Sequence, residues 1–347
     1  MDKLRILVTP PHYNTKFMET FFTKRVREQL DEIGEVIYHN LDHPYTKEEL
    51  RDALVDIDIV ITGWGSLRFD EEVLSKANKL KIVAHTGGTV QNIVSDALYK
   101  KGVLVLSANP VYAESVAEAC LCYMMCSLRS IKYFALDGPG WRGNDEDSEK
   151  GLMDRTVGII GFGMIAKYLM KMLQPFHVNI KICSEYATPE AVAQYGAIVV
   201  SLDEIFETCD IISVNEPLNP KTYHMVKEEH FKKMQDGALI VNTARGAVID
   251  EPAMVKELQT GRIFAALDVY EVEPLPDDSP LRTLPNVLCL PHVGGPTFDR
   301  REYSTMALIR DIKKWMNGEE ELECKISQSY AANMTIGGYK PGMKVKY

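Results

Sequence analysis

Short apolar runs alternating with amphipathic stretches set the first reading of this chain. In the first 107 residues, "RILVTP", "EVIYHN", "DIVITG", "LKIVAH" and "GVLVLS" are rich in β-branched residues and bounded by turn formers, which predicts five strands. The segments between them predict helices, and that alternation predicts a parallel sheet covered on both faces. From Ala113 to about Leu136 a mostly apolar segment predicts one long helix, and "DGPGWRGNDEDSE" then breaks the pattern with Gly, Pro and acids. A second alternating set begins at Val157 with "VGIIGF", "NIKICS", "AIVV", "DIISVN", "GALIVNT", "IFAALDV" and "NVLCLP". It predicts a second doubly wound parallel sheet. After Pro296, "TFDRREYSTMALIRDIKKWMNG" predicts an amphipathic helix ending at Gly318, and residues 319–347 read as an irregular, weakly basic tail.

Composition narrows the class without changing that picture. A chain of 347 residues exceeds one ordinary core, since domains run to about 100–200 residues, so two are expected. The apolar share of 46% and charged share of 25% suit a folded enzyme and exclude disorder and fibre. A net charge of -10 argues against a nucleic-acid partner, which needs a basic face. The longest apolar segment, "AEACLCYMMCSL", is interrupted by Glu118 and followed by Arg129, and reads as a buried helix because a membrane span needs about 20 apolar residues. No membrane partner is expected. The seven cysteines lack the paired spacing of a zinc site or a disulfide framework. Reduced thiols, a cytoplasmic location and no metal site are the corresponding expectations.

Candidate chemistry falls at the strand ends of the second set. "TVGIIGFGMIAKYL" places Gly161, Gly163 and Ala166 in a G-x-G-x-x-A spacing between a strand and a helix. The first glycine permits the tight turn, the second lets the backbone approach a pyrophosphate, and the alanine lets helix and strand pack closely. An acid at the next strand end would hold the adenosine ribose hydroxyls. Here Ser184 stands at that end with Glu185 one place on, and no Arg or Lys for a 2′-phosphate occurs between Lys181 and Pro189. The pairing favours NAD over NADP. In "LIVNTARGAVID", Arg245 follows a strand, where a guanidinium would grip a carboxylate or else pair with Asp250 or Glu251. In "LCLPHVGGPT", His292 follows another strand, and an imidazole there is suited to acid/base work on a hydroxyl or carbonyl. "FAALDVYEVEP" crowds Asp268, Glu271 and Glu273 after a third. Arg245, Glu273 and His292 thus share one sheet edge with the dinucleotide motif.

Together with "IVAHTGGTVQNIV" and "SVAEACL", these segments resemble the NAD-dependent D-isomer-specific 2-hydroxyacid dehydrogenase family over nearly the whole chain. The resemblance implies two domains with a cleft between them: a flavodoxin-like substrate domain from residues 1–108 plus 297–347, and a Rossmann NAD-binding domain from 109–296. It implies Arg245 as the substrate-orienting cation, His292 as acid/base and Glu273 as its paired carboxylate. Substrate contacts are implied at Gly87, Gly88 and His85. Cofactor contacts are implied at Gly161, Gly163, Met164, Ile165, Ser184, Glu185, Asn215, Pro217, Thr243, Ala244, Asp268, Gly294 and Gly295. Asp268 would face the nicotinamide carboxamide, and Glu271 keeps the reading of a solvated turn. The implied activity is NAD(H)-dependent interconversion of a 2-keto acid and a D-2-hydroxy acid, in a homodimer.

The chain departs from the family pattern at three places. His85 stands where many members carry an Arg, Gln91 where they carry an acid, and Asn215-Glu216 where His or Cys and an apolar residue are usual. Formate-type members pair the histidine with a glutamine, whereas Glu273 is present here. An NADH-sensing, corepressor-like protein with little turnover is the alternative from another class.

Overall fold

The structure is a computed structural model that describes residues 3–137 and 150–340. The Gly- and Pro-rich break expected at 137–149 lies almost wholly outside the described residues. The chain divides into two compact units, Met1–Tyr112 with Pro296–Tyr347, and Ala113–Gly295. Both are α/β units built on parallel sheets, as the alternating pattern predicted.

In the first unit the strands are β1 (Leu4–Val8), β2 (Gly34–Tyr38), β3 (Ile59–Thr62), β4 (Ile82–His85) and β5 (Leu104–Ser107). They pair in the order β2-β1-β3-β4-β5, the flavodoxin-like winding. Successive residues of one strand enter opposite cores. Ile6 and Val8 pack with Ile59, Ile61, Ile82 and Ala84, whereas Leu7 packs with Val60, Val83 and Val105 on the other face. That two-sided burial is why the strands read as continuous apolar runs rather than as alternations.

The second unit contains β6 (Thr156–Ile160), β7 (Asn179–Cys183), β8 (Ala197–Val199), β9 (Ile211–Val214), β10 (Leu239–Asn242), β11 (Phe264–Leu267) and β12 (Val287–Cys289). Their order, β12-β11-β10-β9-β6-β7-β8, reverses direction between β6 and β9, and ligands of open α/β sheets bind outside the strand ends at such a switch. The helix Met164–Leu173 closes one face. Its Ala166, Leu169, Met170 and Leu173 are fully buried against Val157 and Ile159.

Two expectations are corrected. The long helix runs over Asn109–Leu128, four residues earlier at its start than the pattern suggested. The tail is not merely irregular: Lys325 bridges Leu106 in antiparallel sense, Ser107 donates to the Cys324 carbonyl at 2.8 Å, and Ile326 donates to the Val105 carbonyl at 2.9 Å. Cys324, Ile326, Ala331 and Ile336 are buried there. A few apolar residues widely spaced among polar ones carry no helix or strand period, so this edge-covering segment left little trace in the pattern. Among the described residues no helix is long and apolar enough to cross a membrane.

Candidate active site

Three neighbouring strands, β10, β11 and β12, end on one edge and deliver Arg245, Glu273 and His292. His292 Nδ1 lies 2.7 Å from Glu273 Oε2. An ionised carboxylate only accepts, so Nδ1 carries the proton and Nε2 is left to exchange one with a ligand. Nε2 has no partner among the described residues, and the side chain is 48% exposed. Burial pushes the Glu273 carboxyl up, but the His292 bond, the Tyr270 amide and the charges of His292 and Arg245 outweigh it and hold it below the usual carboxylate value. Glu273 is therefore ionised across the neutral range. Its contribution to the folded state is complete above the ordinary carboxylate range and is lost as pH falls through the depressed value.

Among the described residues the Arg245 guanidinium donates only to its neighbour's carbonyl, Ala244 O, at 2.5 Å. No carboxylate pairs with it among the described residues. Asp250 instead caps the helix Glu251–Leu258 by accepting from Ala253 N–H, and Glu251 accepts from Glu271 N–H, which removes the two partners a surface arginine would have used. Burial lowers the Arg245 pKa, and Glu273 opposes that shift. A half-buried, unpaired guanidinium is suited to a carboxylate ligand. The backbone beneath it needs a glycine next door. A Cβ at Gly246 would fall inside the backbone of Tyr270 and Glu271, so the β10 and β11 loops touch main chain to main chain.

Asp268 is tied to the chain that follows β12. It is 2% exposed, and its two oxygens accept from Val293 N–H and Gly294 N–H, each at 2.8 Å. The carboxylate thereby clamps the His292 loop to the end of β11. A Cβ on Gly294 would come within 2.8 Å of Asp268 Oδ2, which explains the glycine. Burial raises the Asp268 pKa against the lowering effect of those two amides. Tyr270, which carried no signal in the sequence, adds a second tie. Its hydroxyl accepts from Leu290 N–H at 2.9 Å and lies 2.9 Å from the carbonyls of Leu267 and Leu290.

Glu271 is not the solvated turn residue expected. It accepts from Glu251 N–H at 3.1 Å, its own N–H donates to Glu251 Oε2 at 2.9 Å, and His224 Nε2 lies 2.7 Å from its Oε1, off-line for a well-formed hydrogen bond.

The dinucleotide element follows β6. Gly161 has φ 110 and donates to Cys183 O at 2.8 Å. Gly163 is the N-cap of the helix Met164–Leu173, with no side-chain cap, and a Cβ there would meet nothing within 4 Å. A helix start with no side-chain cap and open approach fits a pyrophosphate, which the positive end of the helix dipole favours. Met164 and Ile165 form the first turn, half-buried. Asn215 Oδ1 and Thr243 Oγ1 are buried with no hydrogen-bond partner among the described residues, a further fit to a polar ligand at this edge. Pro217, Ala244 and Gly295 lie in the loops after β9, β10 and β12. Ser184 is half-buried at the end of β7, and the exposed Glu185 pairs with Lys221 Nζ at 3.2 Å. Lys221 comes from the loop after β9, so the residues of the β7 loop carry no sign of this cation.

In the first unit, the Ser107 hydroxyl lies 2.9 Å from Gly87 O and 2.5 Å from Gly88 O. Both carbonyls are thus turned to one side. The N–H groups of Gly87, Gly88 and Thr89 have no acceptor among the described residues, a run of amides that suits an anion. His85 does not stand open beside them. It is 4% exposed, Nδ1 sits 2.9 Å from Thr62 Oγ1, and a Cβ on Gly87 would strike its ring. Burial pushes its pKa down to about 3, so it props the loop as a neutral ring.

The family profile described as "D-isomer specific 2-hydroxyacid dehydrogenase, NAD binding domain" matches residues 121–294. The chain is 36% identical over 296 residues to D-3-phosphoglycerate dehydrogenase of Methanocaldococcus jannaschii, an alignment covering 84% of this chain and 55% of that relative's length. It is 34% identical over 275 residues to hydroxypyruvate reductase of Thermotoga maritima, covering 77% of this chain and 88% of that one. A crystal structure of a glyoxylate reductase from Paecilomyes thermophila superposes with a TM-score of 0.73 at 25% identity, covering 95% and 100% of the two chains. With that profile, those relatives and a seven-stranded unit bearing the dinucleotide turn, the chain belongs to the D-isomer-specific 2-hydroxyacid dehydrogenase family.

Proposed function

We propose that the chain is an NAD(H)-dependent oxidoreductase interconverting a 2-keto acid and a D-2-hydroxy acid, of the phosphoglycerate, hydroxypyruvate or lactate type. The carrying observation is the His292–Glu273 pair at 2.7 Å, with a free Nε2, on the strand edge that also presents the unpaired Arg245. What the bound dinucleotide supplies is the hydride. His292 Nε2 gives its proton to the keto oxygen as that oxygen becomes negative, and the neutral ring remains held through Nδ1–H on Glu273. In oxidation the neutral Nε2 takes the hydroxyl proton, so the two directions prefer different pH. Arg245 orients the carboxylate or carbonyl. Asp268, Tyr270 and Gly294 position the His292 loop. Met164, Ile165 and Gly163 receive the pyrophosphate.

The test is a panel of 2-keto acids, including hydroxypyruvate, phosphohydroxypyruvate, pyruvate and glyoxylate, with NADH oxidation followed at 340 nm. Steady turnover supports the enzyme. Tight NADH binding with no turnover on any of them would overturn it in favour of a sensor. NADH should give the higher kcat/KM, and side-by-side constants favouring NADPH would reverse that choice.

Glu273→Gln keeps the shape of the pair but removes the counter-charge of the protonated ring. The pH optimum of reduction should then move down, read from kcat/KM against pH. An unmoved profile would take Glu273 out of the proton chemistry.

A further inference from the structure

We infer that Glu216, from the loop after β9, replaces the missing acid at the end of β7 as the residue that holds the adenosine ribose hydroxyls and favours NADH. This rests on the reading of the second unit as a dinucleotide-binding domain.

The end of β7 lacks such an acid. Its last position before the turn is Ser184, and the acid that follows, Glu185, is spent on the surface. Glu185 and Lys221 form an ion pair with side chains 71% and 76% exposed. Strand order offers another source. β9 and β7 flank β6 on opposite sides, so the chain leaving β9 reaches the end of β7 only by passing over the end of β6. It does so at Gly161. A Cβ there would lie 2.9 Å from both C and O of Asn215 and 3.1 Å from Glu216 N, so this glycine makes room for the crossing chain as well as for the turn.

The crossing brings the Glu216 carboxyl beside the Ser184 hydroxyl, within range of the Glu185 charge, and close enough for its own charge to act on the Cys183 thiol. It is half-buried, and no basic side chain pairs with it among the described residues. Burial raises its pKa, Ser184 opposes that shift and Glu185 adds to it. Apart from the Ser184 hydroxyl, a carboxylate in that setting lacks donors. Two vicinal ribose hydroxyls supply one to each oxygen, the geometry that an acid on β7 provides in the usual arrangement. A 2′-phosphate would instead meet two carboxylates, and the nearby cation, Lys221, is already engaged by one of them. The buried, unpartnered Oδ1 of Asn215, one residue earlier, marks the same crossing as a place short of donors.

The experiment titrates ADP-ribose, NADH and NADPH by calorimetry into wild type, Glu216→Gln, Glu216→Ala and Glu185→Gln, with circular dichroism melts to establish folding. Glu216→Gln should weaken ADP-ribose and NADH in parallel by about tenfold or more, the scale of a lost charged hydrogen-bond pair. It should also narrow the gap between NADH and NADPH. Glu185→Gln should weaken ADP-ribose less than Glu216→Gln does, because its carboxylate is turned to Lys221. Unchanged ADP-ribose affinity in a folded Glu216→Gln, or a loss carried by Glu185→Gln instead, overturns the assignment. If wild type binds neither NADH nor NADPH, the dinucleotide reading falls and this one with it.

Discussion

Replacing His292 by alanine should lower turnover about a thousandfold, the typical worth of a positioned acid/base, while NADH affinity stays within a few-fold of wild type. The separation follows from geometry. Among the described residues His292 hydrogen-bonds Glu273 alone, through Nδ1, and its Nε2 is uncommitted. The fixed points of its loop are the Val293 and Gly294 amides on Asp268, which alanine at 292 leaves in place. Binding is read by NADH fluorescence and turnover by single-substrate kinetics. A comparable loss of NADH binding would mean that the ring shapes the cofactor site and is not the proton donor.

Gly246→Ala should be nearly as damaging by another route. The added Cβ falls on the Tyr270 carbonyl group and the Glu271 amide. Main chain cannot swing aside as a flexible side chain does, so one of the two loops must move. The loops carry Arg245 and Glu273, and a displacement near 1 Å costs about a hundredfold in kcat/KM. Stability should fall by about 3 kcal/mol, at the upper end for overpacking. Denaturant melts and kinetics on the soluble protein measure both. Gly151→Ala is the control, since a Cβ there meets open space. Wild-type kinetics and midpoint in Gly246→Ala would refute the main-chain contact.

How much of this the sequence carried is seen residue by residue. Both sheets were legible because parallel strands buried on two faces appear as unbroken β-branched runs. The Arg245, Glu273 and His292 set was legible for a related reason: parallel strands end on one edge, so a residue placed just past each end is placed in space. Local order inside that edge was not legible. Nothing in the spacing showed that the Asp268 carboxylate accepts from the Val293 and Gly294 amides. Glu271 looked solvated until the reciprocal bonds with Glu251 appeared. Lys221 and Glu216 reach the end of β7 from a strand two places away in the sheet, and strand order is set by tertiary packing rather than by spacing. The tail had no period to detect because it pairs through a single bridge.

His292 also has a backbone φ of 54, the left-handed region that costs a residue with a Cβ roughly 1–2 kcal/mol. Glycine would occupy that conformation at ease. The fold therefore holds a histidine at a position where selection for stability alone would favour its removal, and stabilising this protein by sequence optimisation would draw the search toward the one substitution that erases the proposed proton donor.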